Sequence, residues 1–121
     1  MRRVIVESPY AGKGDEDIKR NVRYARACLR DCLLRGESPF ASHLLYTQEG
    51  ILDDKIHEER ELGIHAGLEW GRVAEATVVY LDHGITSGME KGILRAIKEK
   101  RPAFLFWKSF AITRWKDFFT G

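Results

Sequence analysis

Ala76-Thr77-Val78-Val79-Tyr80-Leu81 is a nearly unbroken apolar run rich in β-branched residues. Such a segment does not suit a sheet with one wet face, where apolar and polar residues alternate. It needs cover on both faces, as a central parallel strand has. Val4-Ile5-Val6 and Ala103-Phe104-Leu105-Phe106-Trp107 read as further strands, and Pro39-Phe40-Ala41-Ser42-His43-Leu44-Leu45-Tyr46 as a strand with the loop that leaves it. Amphipathic stretches lie between them. Residues 15–35 place Ile18, Val22, Ala25, Leu29, Cys32 and Leu33 at helical steps, with Asp15 and Asp17 at the positive end of the dipole and Gly36 as a stop. Residues 56–72 carry Leu62, Ala66, Trp70 and Val73 on one stripe and Gly63, Gly67 and Gly71 on another. Each helical glycine costs on the order of 1 kcal/mol. The glycine row therefore predicts close approach of another backbone, from this chain or a second copy. Residues 89–100 form a third predicted helix, and 112–119 a short terminal one rich in aromatics. Strands alternating with helices imply a parallel sheet between two helical layers. The expectation is one domain over residues 1–121, an α/β three-layer sandwich with a four- to five-stranded parallel sheet.

Charge narrows the function classes. Twenty basic and 18 acidic residues leave a net charge of +2, without the basic excess of a dedicated polynucleotide binder. No apolar stretch approaches the roughly 20 residues that span a bilayer, and the apolar run at the N-terminus is too short for a secretory signal. A cytoplasmic protein is expected. Cys28 and Cys32 fall on one helix face, a poor geometry for a disulfide, and are read as buried reduced thiols. Neither they nor His57, His65 and His83 show zinc-site spacing. No metal or organic cofactor is required.

In open parallel sheets, ligands bind beyond the carboxyl ends of the strands. That rule selects residues 8–14, 42–54 and 82–89. The first loop offers Ser8, Tyr10 and Gly12 before a helix, without the glycine and lysine spacing of a nucleotide P-loop. Tyr10 could stack on a base or cap the core. In the third loop Asp82 ends the central strand and Thr86-Ser87-Gly88-Met89 opens a helix. Hydroxyls at a helix start suit a phosphate or sugar, or serve as an N-cap with Glu90 completing a capping box. His43 follows the second strand, Asn21 and Tyr24 sit on the first helix off its apolar stripe, and Asp53-Asp54 begins an acidic patch.

Several of these stretches together resemble the nucleoside 2-deoxyribosyltransferase superfamily, with its deoxynucleotide N-glycosidases, and most of all an uncharacterised branch common in bacteria and their phages. They are Val6-Glu7-Ser8-Pro9-Tyr10-Ala11-Gly12, Asn21-Val22-Arg23-Tyr24-Ala25, Pro39 through Tyr46, Leu52-Asp53-Asp54 and Ser87-Gly88-Met89. The resemblance implies a flavodoxin-like, deoxyribosyltransferase-like sheet and a homodimer or larger homo-oligomer. It also implies cleavage or transfer at the N-glycosidic bond of a nucleoside or nucleotide by a Glu that attacks C1′. In that family the Glu stands four residues after the glycine of the last loop, where this chain has Gly92. Glu90 is the nearest carboxylate, about 200° around the helix from that position. Glu90 is then the expected nucleophile and Asp82 an orienting group or acid, with Asp53 and Asp54 as other carboxylates. Ser8, Tyr10, Gly12, Asn21, Tyr24, His43, Ser87, Gly88 and Met89 would line the ligand. Three other readings stand beside this one. A non-catalytic nucleotide-binding or sensing domain would explain Gly92, an interaction protein would use the glycine row as an oligomer interface, and a flavodoxin-like flavin carrier ranks last because the loops lack an evident phosphate cradle.

Overall fold

A computed structural model describes residues 1–107. The expected helix at 112–119 lies outside the described residues. The elements run β1 (Arg2–Glu7), α1 (Asp15–Leu34), β2 (Glu37–Phe40), α2 (Ser42–Leu45), α3 (His57–Gly71), β3 (Ala76–Tyr80), α4 (Ser87–Lys98) and β4 (Ala103–Phe106). The strands form one parallel sheet in the order β2-β1-β3-β4. Every residue of β3 is buried, as its apolar run requires. This is the expected parallel α/β sandwich with four strands. β2 begins earlier than expected, and residues 42–45, expected as part of the loop leaving it, wind into a short helix. Pro39 is tolerated because β2 is an edge strand.

Val4 and Val6 of β1 pack with Val78, Tyr80, Phe106, Cys28 and Cys32, so this core joins one face of the sheet to α1. Both thiols are free and buried there, as expected. The buried row of α1 is Ala25, Cys28 and Cys32, whereas Leu33 is 54% exposed, against the expected stripe. Small side chains let the helix sit close to the sheet, and Leu33 lies one residue, about 100°, past Cys32. At the end of α1 Gly36 takes φ +84°, the left-handed stop expected of it.

α3 departs further from expectation. Leu62, Trp70 and Val73 are more than half exposed, while Gly67 and Gly71 are buried. The two rows lie about 100° apart on a helix, and packing selects the smooth one. A Cβ on Gly67 would stand 2.6 Å from Ser42, and one on Gly71 would stand 3.3 Å from the Arg101 guanidinium. The glycine row is thus covered by its own chain, which removes the basis for reading it as an oligomer interface.

A polar cluster is enclosed between α1 and the sheet. The Tyr80 hydroxyl donates to Asp31 Oδ2 at 2.6 Å and accepts from Arg35 at 2.9 Å. Arg35 also pairs with Asp31 and with Glu37, and Arg2 reaches Glu37 at 2.9 Å. Removing one partner of such a buried pair costs about 3–5 kcal/mol, because the remaining charge is left without compensation. We expect Arg35→Ala to lower the urea midpoint by a corresponding amount at unchanged m-value, as measured by equilibrium denaturation.

Candidate active site

The chain runs from β1 outward to β2 and returns to β3 on the other side of β1, so the strand order switches between β1 and β3. A crevice opens at their carboxyl ends. Successive side chains of a strand point to opposite faces. Val4 and Val6 enter the α1 core, so Ile5 and Glu7 face the other layer, where they line a cavity bounded by α2, α3 and the start of α4.

The cavity brings together residues far apart in sequence. Ser8, Tyr10, His43, Asp54, Ser87, Gly88 and Met89 all lie on its wall. Ser8 Oγ and His43 Nε2 are hydrogen-bonded at 2.7 Å, and the Tyr10 ring stands edge-on to the imidazole with centroids 6.4 Å apart. Burial pulls the His43 pKa down to about 4, which keeps the ring neutral at physiological pH.

The remaining expected residues lie off the cavity wall. Asn21 Nδ2 donates to the carbonyls of Tyr10 and Ala11 at 2.9 and 3.3 Å, so it holds the loop that carries Tyr10. A Cβ on Gly12 would overlap that of Asp17, so glycine lets this loop close on α1. Tyr24 donates to Asp82 Oδ1 at 2.5 Å, and its ring lies edge-on to His83 with centroids 4.3 Å apart. Burial, then the bond to Asp82, push the Tyr24 pKa up, so the phenol keeps its proton. Tyr24 packs against the α1 core, on the opposite face of the sheet from the cavity. Asp53 is occupied locally, its carboxylate accepting the Lys55 N–H at 3.0 Å. Thr86 caps α4 by accepting the Met89 N–H at 3.2 Å. Met89, not Glu90, therefore stands at the third helical position, and the exposed Glu90 does not reach the cavity.

Sequence reasoning missed the groups deepest in the site. Glu7 sits at the end of β1 and lines the cavity. Burial pushes its carboxyl up to about 8, against the pull of Arg101, and no hydrogen bond from the described residues holds it. Gly92 faces it across the cavity, and a Cβ there would overlap the carboxyl. Arg101 is buried, its Nε donating to Thr77 Oγ1 at 3.0 Å and its Nη1 to the Gly71 carbonyl at 2.6 Å. The left-handed turn at Lys100, φ 56°, leads the chain back to this position. Glu59, Arg60 and Lys91 complete the charged lining. A signal for Glu7 was present. It is a charged residue closing a β-branched run, one position before the first loop.

Residues 2–106 match a family described as Domain of unknown function (DUF7768), and the chain belongs to it. No curated protein matches the sequence. Among solved structures, the chain is similar to a 2-deoxyribosyltransferase from the psychrotolerant bacterium Bacillus psychrosaccharolyticus. The TM-score is 0.60 at 21% identity, over 87% of this chain and 72% of that one. The likeness is one of fold: a parallel sheet in a deoxyribosyltransferase-like sandwich.

A raised carboxyl pKa destabilises the native state at neutral pH. In the unfolded chain Glu7 ionises near 4.5, the ordinary value for a glutamate, and in the folded one only near 8, so stability falls as pH rises between the two. Glu7→Gln removes this penalty. We expect it to raise the unfolding free energy at about pH 8 by on the order of a few kcal/mol, seen as a higher melting temperature, and to change it little at about pH 4. Parallel thermal melts across that range check the sign.

Proposed function

We propose that this member of the DUF7768 family binds a nucleoside or nucleoside 5′-monophosphate in the cavity and cleaves, or transfers at, its N-glycosidic bond. The observation that carries this reading is the meeting of Tyr10, His43 and Ser87 on one cavity wall at the switch in strand order. They come from three separate parts of the chain: the loop after β1, the short helix α2 after β2 and the first residue of α4. The fold shared with a 2-deoxyribosyltransferase supports the same reading.

The surroundings suit such a ligand. Tyr10 offers a ring face to a base. Ser87 and Gly88 open α4 ahead of Met89, whose N–H the Thr86 cap takes, and the positive end of the helix dipole there favours an anion or sugar oxygens. Arg60 and Lys91 add positive charge for a 5′-phosphate, and Asp54 adds an acceptor for a sugar hydroxyl or a base N–H. Asn21 acts through the Tyr10 loop, and Gly12 through its closure on α1. Tyr24 with Asp82, and Asp53 with Glu59, hold neighbouring segments in place. Glu90 receives no contact with the ligand. A cytoplasmic homo-oligomer belongs to this reading on the strength of the family resemblance.

The test is base release. The protein is incubated with a panel of deoxynucleosides, ribonucleosides and their monophosphates, and free base is followed by chromatography. At least one member of the panel should release base. Tyr10→Ala and His43→Ala should lower kcat/KM by about tenfold or more, roughly the 1.4 kcal/mol of one lost binding contact. Glu16→Ala, on the exposed first turn of α1, should leave it unchanged. Absence of base release from every nucleoside and nucleotide would remove the reading, whether or not they stabilise the protein thermally.

A further inference from the structure

We infer that Glu7, reaching the cavity from the end of β1, is its catalytic carboxylate, and that residue 92 is glycine because this carboxylate occupies the space a side chain there would fill. The inference rests on the glycosidic reading above and names the group that performs it. It replaces Glu90, which the helix start at Thr86 leaves outside the cavity.

Geometry singles out Glu7 from the three carboxylates on the cavity wall. Glu59 is engaged, accepting the Asp53 N–H at 3.1 Å. Asp54 stands on the segment before α3, within the stretch between α2 and that helix. Glu7 alone ends a central strand at the β1–β3 switch, where ligands of such sheets lie. Its carboxyl touches the notch of Gly92 in the second turn of α4, the helix whose first residues, Ser87 and Gly88, line the same cavity. No hydrogen bond from the described residues engages it. A carboxylate whose burial disfavours its charge is attracted by positive charge that develops on a sugar.

The step balances as follows. Glu7 loses its proton to solvent, and one carboxylate oxygen bonds C1′ as the C1′–N bond breaks. The electron pair leaves with the base, which takes a proton from water at the cavity mouth. Water, or a second base, then attacks C1′ and frees the carboxylate, returning one proton to solvent. The Gly92 position also answers the non-catalytic reading. The carboxylate missing from α4 has its counterpart on β1.

The charged and titratable groups that share the cavity with Glu7 are Arg101 beyond α4, Lys91 on α4, Glu59 and Arg60 on α3, Asp54 before it and His43 on α2. Arg101 favours ionisation and burial opposes it, the latter prevailing. A nucleophile must be ionised, so kcat should rise close to tenfold per pH unit below about 8 and level off above it.

The experiment compares base release by the wild type, by Glu7→Gln and by the exchange Glu7→Gly with Gly92→Glu. Thermal melts confirm that each protein is folded. Glu7→Gln should lose at least about a hundredfold in kcat while retaining nucleoside binding by calorimetry. The rising pH limb should vanish with it, a result that a purely structural role would not produce. Quenched wild-type reactions should carry one sugar mass on the peptide containing Glu7. The exchange, which returns a carboxylate to the same space from α4, should recover activity over Glu7→Gln. Base release by a folded Glu7→Gln protein at the wild-type rate overturns the inference and leaves the glycosidic reading standing. Absence of release by the wild type overturns both.

Discussion

Alternation of side chains along β1 divides this molecule. The even positions, Val4 and Val6, enter a closed apolar core with α1, while the odd ones, Ile5 and Glu7, open on the cavity. Pairing on both sides, with β2 and β3, locks that register. A slip of one residue would bury a charge in the α1 core and turn valines into the cavity. The separation of a stabilising face from a functional face therefore rests on one strand.

Each face handles its polar groups differently. Toward α1, Tyr80, Asp31, Arg35, Glu37 and Arg2 are joined to one another by hydrogen bonds and ion pairs. Toward α3 and α4, Arg101 is anchored by Thr77 and the Gly71 carbonyl, but the Glu7 carboxyl is left without such an anchor among the described residues. Networks of the first kind specify a fold. An unsatisfied carboxyl that lowers native stability at neutral pH is the kind of group found where a protein acts on a ligand.

Glycines shape the second face. Gly63, Gly67 and Gly71 let Leu52, Ser42 and Arg101 approach α3, and Gly92 admits the Glu7 carboxyl. The helix propensity lost at these positions is exchanged for room in a cavity. The same packing turns Leu62 and Trp70 outward, because a helix seated on its glycine row cannot also bury the row about 100° away.

Periodicity and strand composition were enough to read the parallel α/β sandwich, most element boundaries and the loops that hold Ser8, Tyr10, His43 and Ser87. These are local signals, an apolar run for β3 and helical steps between the strands, and the strand-end rule converts them into a site. The inward row of α1 was legible apart from Leu33, but that of α3 was not, since hydrophobicity favoured Leu62 and Trp70 while close packing favoured Gly67 and Gly71. The facing of Tyr24 and Asp82 away from the cavity, and of Glu7 into it, depends on which side of the sheet each element crosses. That is decided only when distant strands pair. The contact of Glu7 with Gly92 joins residues from the first strand and the last described helix, and no local pattern in either segment encodes it.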